Sequence, residues 1–347
     1  MASQPLLDLG LQGSGCHCSP SLGRVLVMRI ILSIEGRRGS GRGAALMAAL
    51  AVVIAACSPG VGEGVPEERL LVVATTSILG DVVGNIVGDD AEVEVLIPSG
   101  SDPHDYRASA RQVAMLREAG LVVANGLGLE ESLADVLDAA VEDGARLLEV
   151  GPMVEPIPFG DAPCDPGAAE LSGCDPHVWM DPLRMVEAVR LIAAELAEVV
   201  PGVDWASRAE GYVAELEAAH TEIASLLGEI PQERRVLVTN HDALGYFADR
   251  YGLEVVGSII PGGSTLGEPS SADLAALVEV IEDRGVPAIF AETTQTSVLA
   301  EAVAAEVGRP VVVVRLYTGS LGEPGSGAET LIGMLLTDAR LIAGALR

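Results

Sequence analysis

Three of the five histidines in this 347-residue chain share a setting that suits metal ligation. His104 lies in SGSDPHDY, His177 in CDPHVWMDP and His241 in VLVTNHDA. His104 and His241 follow apolar runs that end at Ile97 and Thr239, and His177 stands in a long loop. Neutral imidazole binds zinc, and also copper, nickel and iron. Each of the three has an acidic neighbour, Asp105, Asp175 or Asp242. A carboxylate can orient an imidazole through its second ring nitrogen. His220 has no such context and is expected to be exposed on a helix.

The elements that must position these residues alternate. The pattern predicts strands over 70–74, 93–97, 121–124 and 146–150, with helices from 77 to about 87 and over 109–118 and 130–141. Thr75, Thr76 and Ser77 can cap the first helix. Residues 151–182, rich in Pro, Gly, Asp and Cys, read as a structured loop. Long helices follow over 183–199 and 205–227. A second unit then alternates strands at 235–239, 254–257, 288–291 and 311–316 with helices at 243–250, 271–283 and 298–305, and closes with a helix over 329–346. Strands alternating with helices imply parallel sheets. The expected fold is α/β, two lobes that are each a parallel sheet flanked by helices, joined by a long helical connector. Such a connector limits hinge opening. In open parallel sheets ligands gather at the carboxyl ends of strands. A cleft between the lobes is where His104, His177 and His241 could meet.

Composition narrows the function. Hydrophobic residues make up 49% and aromatics 3%, a mix that suits helices packed on buried strands rather than a carbohydrate groove or a single-strand nucleic-acid platform. The formal net charge of −29 repels phosphate backbones, so nucleic acid is not an expected partner. All 21 basic residues are Arg, which reads as compositional bias.

The N-terminal region reads as an address. Arg37, Arg38 and Arg42 precede an apolar run over 44–56, too short for a comfortable membrane span, and Cys57 follows. Ile54-Ala55-Ala56-Cys57 is similar to a bacterial lipobox, in which the cysteine is acylated and anchors the chain to the bilayer. Residues 1–57 are therefore expected to be a signal and lipobox segment, with 1–27 a possible mis-called start before Met28, and 58–69 a linker. Cys16, His17 and Cys18 carry little weight as a metal site on this reading. Export also permits oxidation. Cys164 and Cys174 flank a short polar stretch, and a local disulfide between them would brace the loop that leads into His177.

The segments PHDY at 103–106, ANGLGLE at 124–130, DPHVWMDP at 175–182, TNHDALGYFADRYGL at 239–253 and IIPGGSTLGEPS at 259–270 resemble the metal-binding lipoproteins of bacterial zinc and manganese ABC importers. The resemblance covers residues 70–346. It implies an N-terminal metal-binding lobe at 70–182, connecting helices at 183–230 and a C-terminal metal-binding lobe at 231–347. It carries over His104, His177 and His241 as ligands of a metal held between the lobes. It also implies a membrane permease as partner, a monomer, and a location on the outer face of the cytoplasmic membrane. One position departs from the family pattern. Gly319, in LYTGSLG, stands where the family commonly supplies an aspartate ligand. Glu292 at a strand end, Glu323 and water are the candidates for the fourth position, and Glu292 could equally line the cleft.

Three nitrogen ligands favour Zn2+, with Mn2+ the alternative, because oxygen-rich sites suit the harder ion. Three histidines with an open position would also suit a zinc hydrolase or lyase, but no HExxH helix, nucleophile elbow or phosphate loop accompanies them. An adhesin or metal buffer without an importer is the other alternative.

Overall fold

The computed structural model describes residues 69–160, 163–165 and 173–347. The signal segment, Cys57 and the Cys16–Cys18 cluster lie outside the described residues.

Two four-stranded parallel sheets organise the chain. The first contains β1 (Leu70–Thr76), β2 (Ala91–Ile97), β3 (Leu121–Ala124) and β4 (Leu147–Glu149), in the order β2-β1-β3-β4. The second contains β5 (Val236–Thr239), β6 (Glu254–Ser258), β7 (Ala288–Glu292) and β8 (Val312–Leu316), in the order β6-β5-β7-β8. The two orders are the same, so each sheet reverses direction between its first and third strands. That reversal opens a crevice at the carboxyl ends of the central strands, where α/β sheets place ligands. Val72, Val73 and Ala74 of β1 are wholly buried because helices cover both faces, which is why the strand reads as an unbroken apolar run.

The helices are α1 (Ser77–Val87), α2 (Ala110–Glu118), α3 (Ala134–Glu142), α4 (Pro182–Val199), α5 (Trp205–Gly228), α6 (Gly245–Tyr251), α7 (Ser271–Arg284), α8 (Val298–Glu306) and α9 (Leu331–Leu346). Their starts follow local chemistry. The Thr76 hydroxyl accepts from the backbone N–H of Leu79, and Asp181 caps α4 with Pro182 in the first turn. Ser270 and Asp273 form a reciprocal capping box on α7, which ends at Gly285 in the left-handed region. The expected helix from residue 130 starts later, after a 3-10 turn at Glu131–Leu133. Glu130 is turned inward, where its carboxylate accepts from Thr75 Oγ1 and from the N–H groups of Asn125 and Gly126.

α5 is the connector. Its 24 residues span about 36 Å. Near its start Arg208 donates to the carbonyl of Val87 in the first lobe, and further on Glu222 pairs with Arg340 of α9. One apolar cluster runs from Val72 and Ile78 through Val189 and Leu216 to Phe247, Phe290 and Leu335, so the two lobes share a core. The outer faces of the sheets have their own clusters, around Leu96 and Leu116 and around Val238 and Ile281. His220 on α5 is half-buried rather than exposed. Its ring stacks on Tyr251, with Nδ1 3.2 Å from the phenol oxygen, because Tyr251 at the end of α6 packs against this face of the connector. No helix among the described residues is long and apolar enough to cross a membrane.

A polar tie joins lobes and connector. Asp81 of α1 uses Oδ2 to accept from the Tyr212 hydroxyl of α5 at 3.0 Å and from the backbone N–H of Leu331, the first residue of α9, at 2.9 Å. A carboxylate at a helix N-terminus satisfies a free donor and the helix dipole together. Asp81→Ala is expected to lower unfolding free energy by about 2 kcal/mol in urea denaturation, and Tyr212→Phe by about 1 kcal/mol. A change below about 0.5 kcal/mol for Asp81→Ala would show that the tie adds nothing to stability.

Candidate metal centre

His241 follows β5 and Glu292 ends β7, the two strands that flank the reversal in the second sheet. Neighbouring strands bring them together, and Glu292 Oε1 pairs with His241 Nδ1. Both side chains are buried.

His177 comes from the loop between β4 and α4. Cys164 and Cys174 are joined by a disulfide, and an isolated bridge pairs Pro158 with Cys174. These hold the segment that delivers Asp175 and His177 inward. Asn125 at the end of β3 donates Nδ2–H to the Pro176 carbonyl at 2.9 Å, and Trp179 donates its indole N–H to the Thr318 carbonyl of the second lobe at 2.8 Å. Asp175 Oδ1 lies 2.8 Å from His177 Nδ1 and also accepts the backbone N–H of His177.

His104 is carried by the loop after β2. The Ser132 hydroxyl donates to its carbonyl at 3.1 Å, and Asp102 Oδ1 accepts its N–H at 3.0 Å. Neither of its buried ring nitrogens has a hydrogen-bond partner among the described residues, and Glu131 Oε1 is 3.8 Å from Nδ1.

The three rings converge. Their centroids are 5.6, 5.4 and 4.9 Å apart, and one nitrogen from each lies within 4.8 Å of the others. Nε2 of His177 is 3.0 Å from Nε2 of His241. Each of these two rings turns Nδ1 to a carboxylate, which fixes the Nδ1–H tautomer and leaves Nε2 as the free lone pair. Two lone pairs at that distance repel unless a cation lies between them. Tetrahedral zinc would hold two nitrogens about 3.3 Å apart, so a small opening of the pair accommodates the ion.

Electrostatics assigns the proton that competes for this position. Burial, and then the other two imidazoles, push His104 down to about 3. Burial and the His241 charge hold His177 well below its ordinary value. Burial lowers His241 too, but the Glu292 carboxylate outweighs it and the net shift is upward. The geometry then reads as a protonated His241 that donates Nδ1–H to Glu292 and Nε2–H to His177. Burial pushes the Asp175 carboxyl up to about 7.

Sequence adjacency left open which carboxylate orients which ring, and only one of the three chain neighbours does so. Asp175 does face its histidine, but Asp105 is exposed, and Asp242 accepts from the Gly262 backbone N–H instead. Glu292, a candidate for the fourth position, is the carboxylate that meets the His241 ring. It lies against Nδ1 of His241, outside the group of converging nitrogens. Glu323 is exposed. Gly319 is buried beside the His104 loop, where an added Cβ would sit 3.4 Å from Pro103 and 3.5 Å from Thr294 Oγ1. Asp102 escaped notice, although Asp-Pro-His occurs twice, at 102–104 and 175–177.

Comparison with known proteins follows the same lines. The family model described as the zinc-uptake complex component A, periplasmic, matches residues 72–345. The zinc-binding protein TroA of Treponema pallidum is 33% identical over 282 residues, covering 80% of this chain and 88% of that protein. The manganese-binding lipoprotein MntA of Halalkalibacterium halodurans is 30% identical over 289 residues, covering 82% and 92%. The solved structure of the periplasmic zinc-binding protein TroA superposes with a TM-score of 0.72 at 32% identity, covering 80% of this chain and 99% of that one. Two parallel-sheet lobes joined by a helix, with buried histidines converging from both, are thus the frame of a binding component rather than of an enzyme, and the chain belongs to the zinc-uptake complex component A family.

Proposed function

We propose that this chain captures a divalent transition metal outside the cytoplasm and delivers it to an ABC importer, with His104, His177 and His241 as ligands. The observation that carries the reading is the 3.0 Å approach of two Nε2 atoms from different lobes, each ring braced by a carboxylate. Such a site is completed by a cation and by the meeting of the lobes together. Bound between them, the ion holds the closed form that a permease would select, and reopening releases it.

Zinc is the favoured cargo and manganese the next. Three imidazole nitrogens suit the softer ion, and Gly319 offers no oxygen. Relatives do not decide the matter, since one is named zinc-binding, one manganese-binding and another, from Yersinia pestis at 29% identity, iron-binding. Glu292 then acts by holding His241, and water takes the fourth position unless Glu292 leaves Nδ1 to bind the ion. The division into a signal segment to Cys57, a linker and two lobes belongs to the same reading. So do an acylated Cys57 holding a monomer on the outer face of the cytoplasmic membrane, and a permease as partner.

Replacing one ligand tests the site. His104→Ala, His177→Ala and His241→Ala should each weaken zinc at least 100-fold in chelator competition, while His220→Ala should change it less than about threefold. Zinc affinity left intact in His241→Ala would refute a site shared by the lobes.

Proton release tests the assignment of charge. His241, raised above its ordinary 6.5, holds a proton that the metal must displace. Affinity should therefore rise with pH through and above that value, by about tenfold per unit on the acid side. Calorimetry in buffers of different ionisation heat should show net proton release on zinc binding, growing as pH falls through the His241 titration. Asp175, pushed up to about 7, should add a further fraction at and below that pH. Binding without proton release would contradict the assignment.

A further inference from the structure

The two Asp-Pro-His turns are built alike and used differently. In each, the aspartate Oδ1 accepts the backbone N–H of its histidine, at 3.0 Å for Asp102 and 2.9 Å for Asp175. The same oxygen of Asp175 also meets the His177 ring at Nδ1. Asp102 turns its other oxygen to the opposite lobe. The Thr265 hydroxyl, in the loop after β6, donates to Asp102 Oδ2 at 2.6 Å. The Gln295 side-chain amide, in the turn between β7 and α8, donates to the same oxygen. Asp102 is 7% exposed.

This placement matters because of what His104 lacks. With neither ring nitrogen hydrogen-bonded among the described residues, no carboxylate fixes the ring as Asp175 and Glu292 fix the other two. Its orientation comes from its backbone. That backbone is held by Ser132 on its own lobe and by Asp102, whose far oxygen belongs to the other lobe's hydrogen bonds.

We propose that Asp102 is the positioning residue that couples lobe closure to completion of the ligand set: its carboxylate sets His104 only while Thr265 and Gln295 engage it from the second lobe. The proposal rests on the reading of His104 as a ligand. Parting of the lobes withdraws two donors from Asp102 and frees the His104 loop, so His104 is the ligand that leaves first. Asp102 also adds a buried negative charge beside the cation, and attraction between unlike charges strengthens away from water. Bound metal thereby tightens the clamp that holds its own ligand.

The test changes the second lobe alone. Thr265→Val, Gln295→Leu and the double variant remove the donors and leave Asp102 and the three histidines intact. Zinc association and dissociation are followed by stopped flow with a chelator. The melting temperature without metal is read in parallel, and Co2+ absorption bands report the ligand set. The double variant should release zinc about tenfold faster, with association within about twofold of the parent. Its melting temperature without metal should stay within about 2 °C, and its Co2+ bands should move toward those of His104→Ala. Asp102→Asn, which keeps the shape and one acceptor oxygen, should fall between parent and double variant. An unchanged dissociation rate in the double variant would overturn the proposal. So would faster release accompanied by an equal loss of stability without metal, or by unchanged Co2+ bands. If His104→Ala binds zinc as tightly as the parent, the ligand reading itself is wrong, which separates that failure from this one.

Discussion

Two nitrogen lone pairs, pointed at each other from different lobes, are the constraint on which this architecture depends. Bringing Nε2 of His177 within 3.0 Å of Nε2 of His241 is unfavourable unless a proton or a metal ion stands between them. Everything around the pair makes that cation welcome and costly to replace by water. Asp175 and Glu292 lock the tautomers, and the buried surroundings weaken the hydration that would otherwise compete. The same burial keeps His104 and His177 neutral, so they are ready to ligate at ordinary pH.

Holding such a pair together requires a frame that moves little. The shared core through α4, α5 and α9 and the Asp81 tie join the lobes on the connector side. Asp181 at the start of α4 accepts a two-pronged bond from Arg250 of α6, a second, half-buried link between the halves. Such a frame favours movement of the loops that carry the three histidines over wide hinge opening. For a cation a few ångströms across, small movements suffice: a ligand displaced by about 1 Å is no longer bonded.

Much of this was legible in the sequence, because apolar runs between turn residues announce buried strands and strand ends announce sites. The alternation gave both sheets, and the three histidines stood at or near strand ends. The Cys164–Cys174 pair was legible from its short spacing and the expected export. What could not be read was which carboxylate meets which ring. Asp105 and Asp242 are chain neighbours of histidines, yet adjacent side chains on an irregular segment diverge, and both turn elsewhere. Glu292 reaches His241 across 51 positions because β5 and β7 are sheet neighbours, a fact of topology rather than of local sequence. His220 was misread for the same reason, since its cover, Tyr251, comes from another helix.

The most direct test of this account is a crystal structure of the zinc-loaded protein with diffraction measured on both sides of the metal absorption edge. The account predicts one ion bonded to ring nitrogens of His104, His177 and His241, with Asp175 and Glu292 still on the Nδ1 atoms of the last two. An ion held by residues of a single lobe, or one bonded elsewhere while the His177 and His241 nitrogens stay in contact, would contradict it.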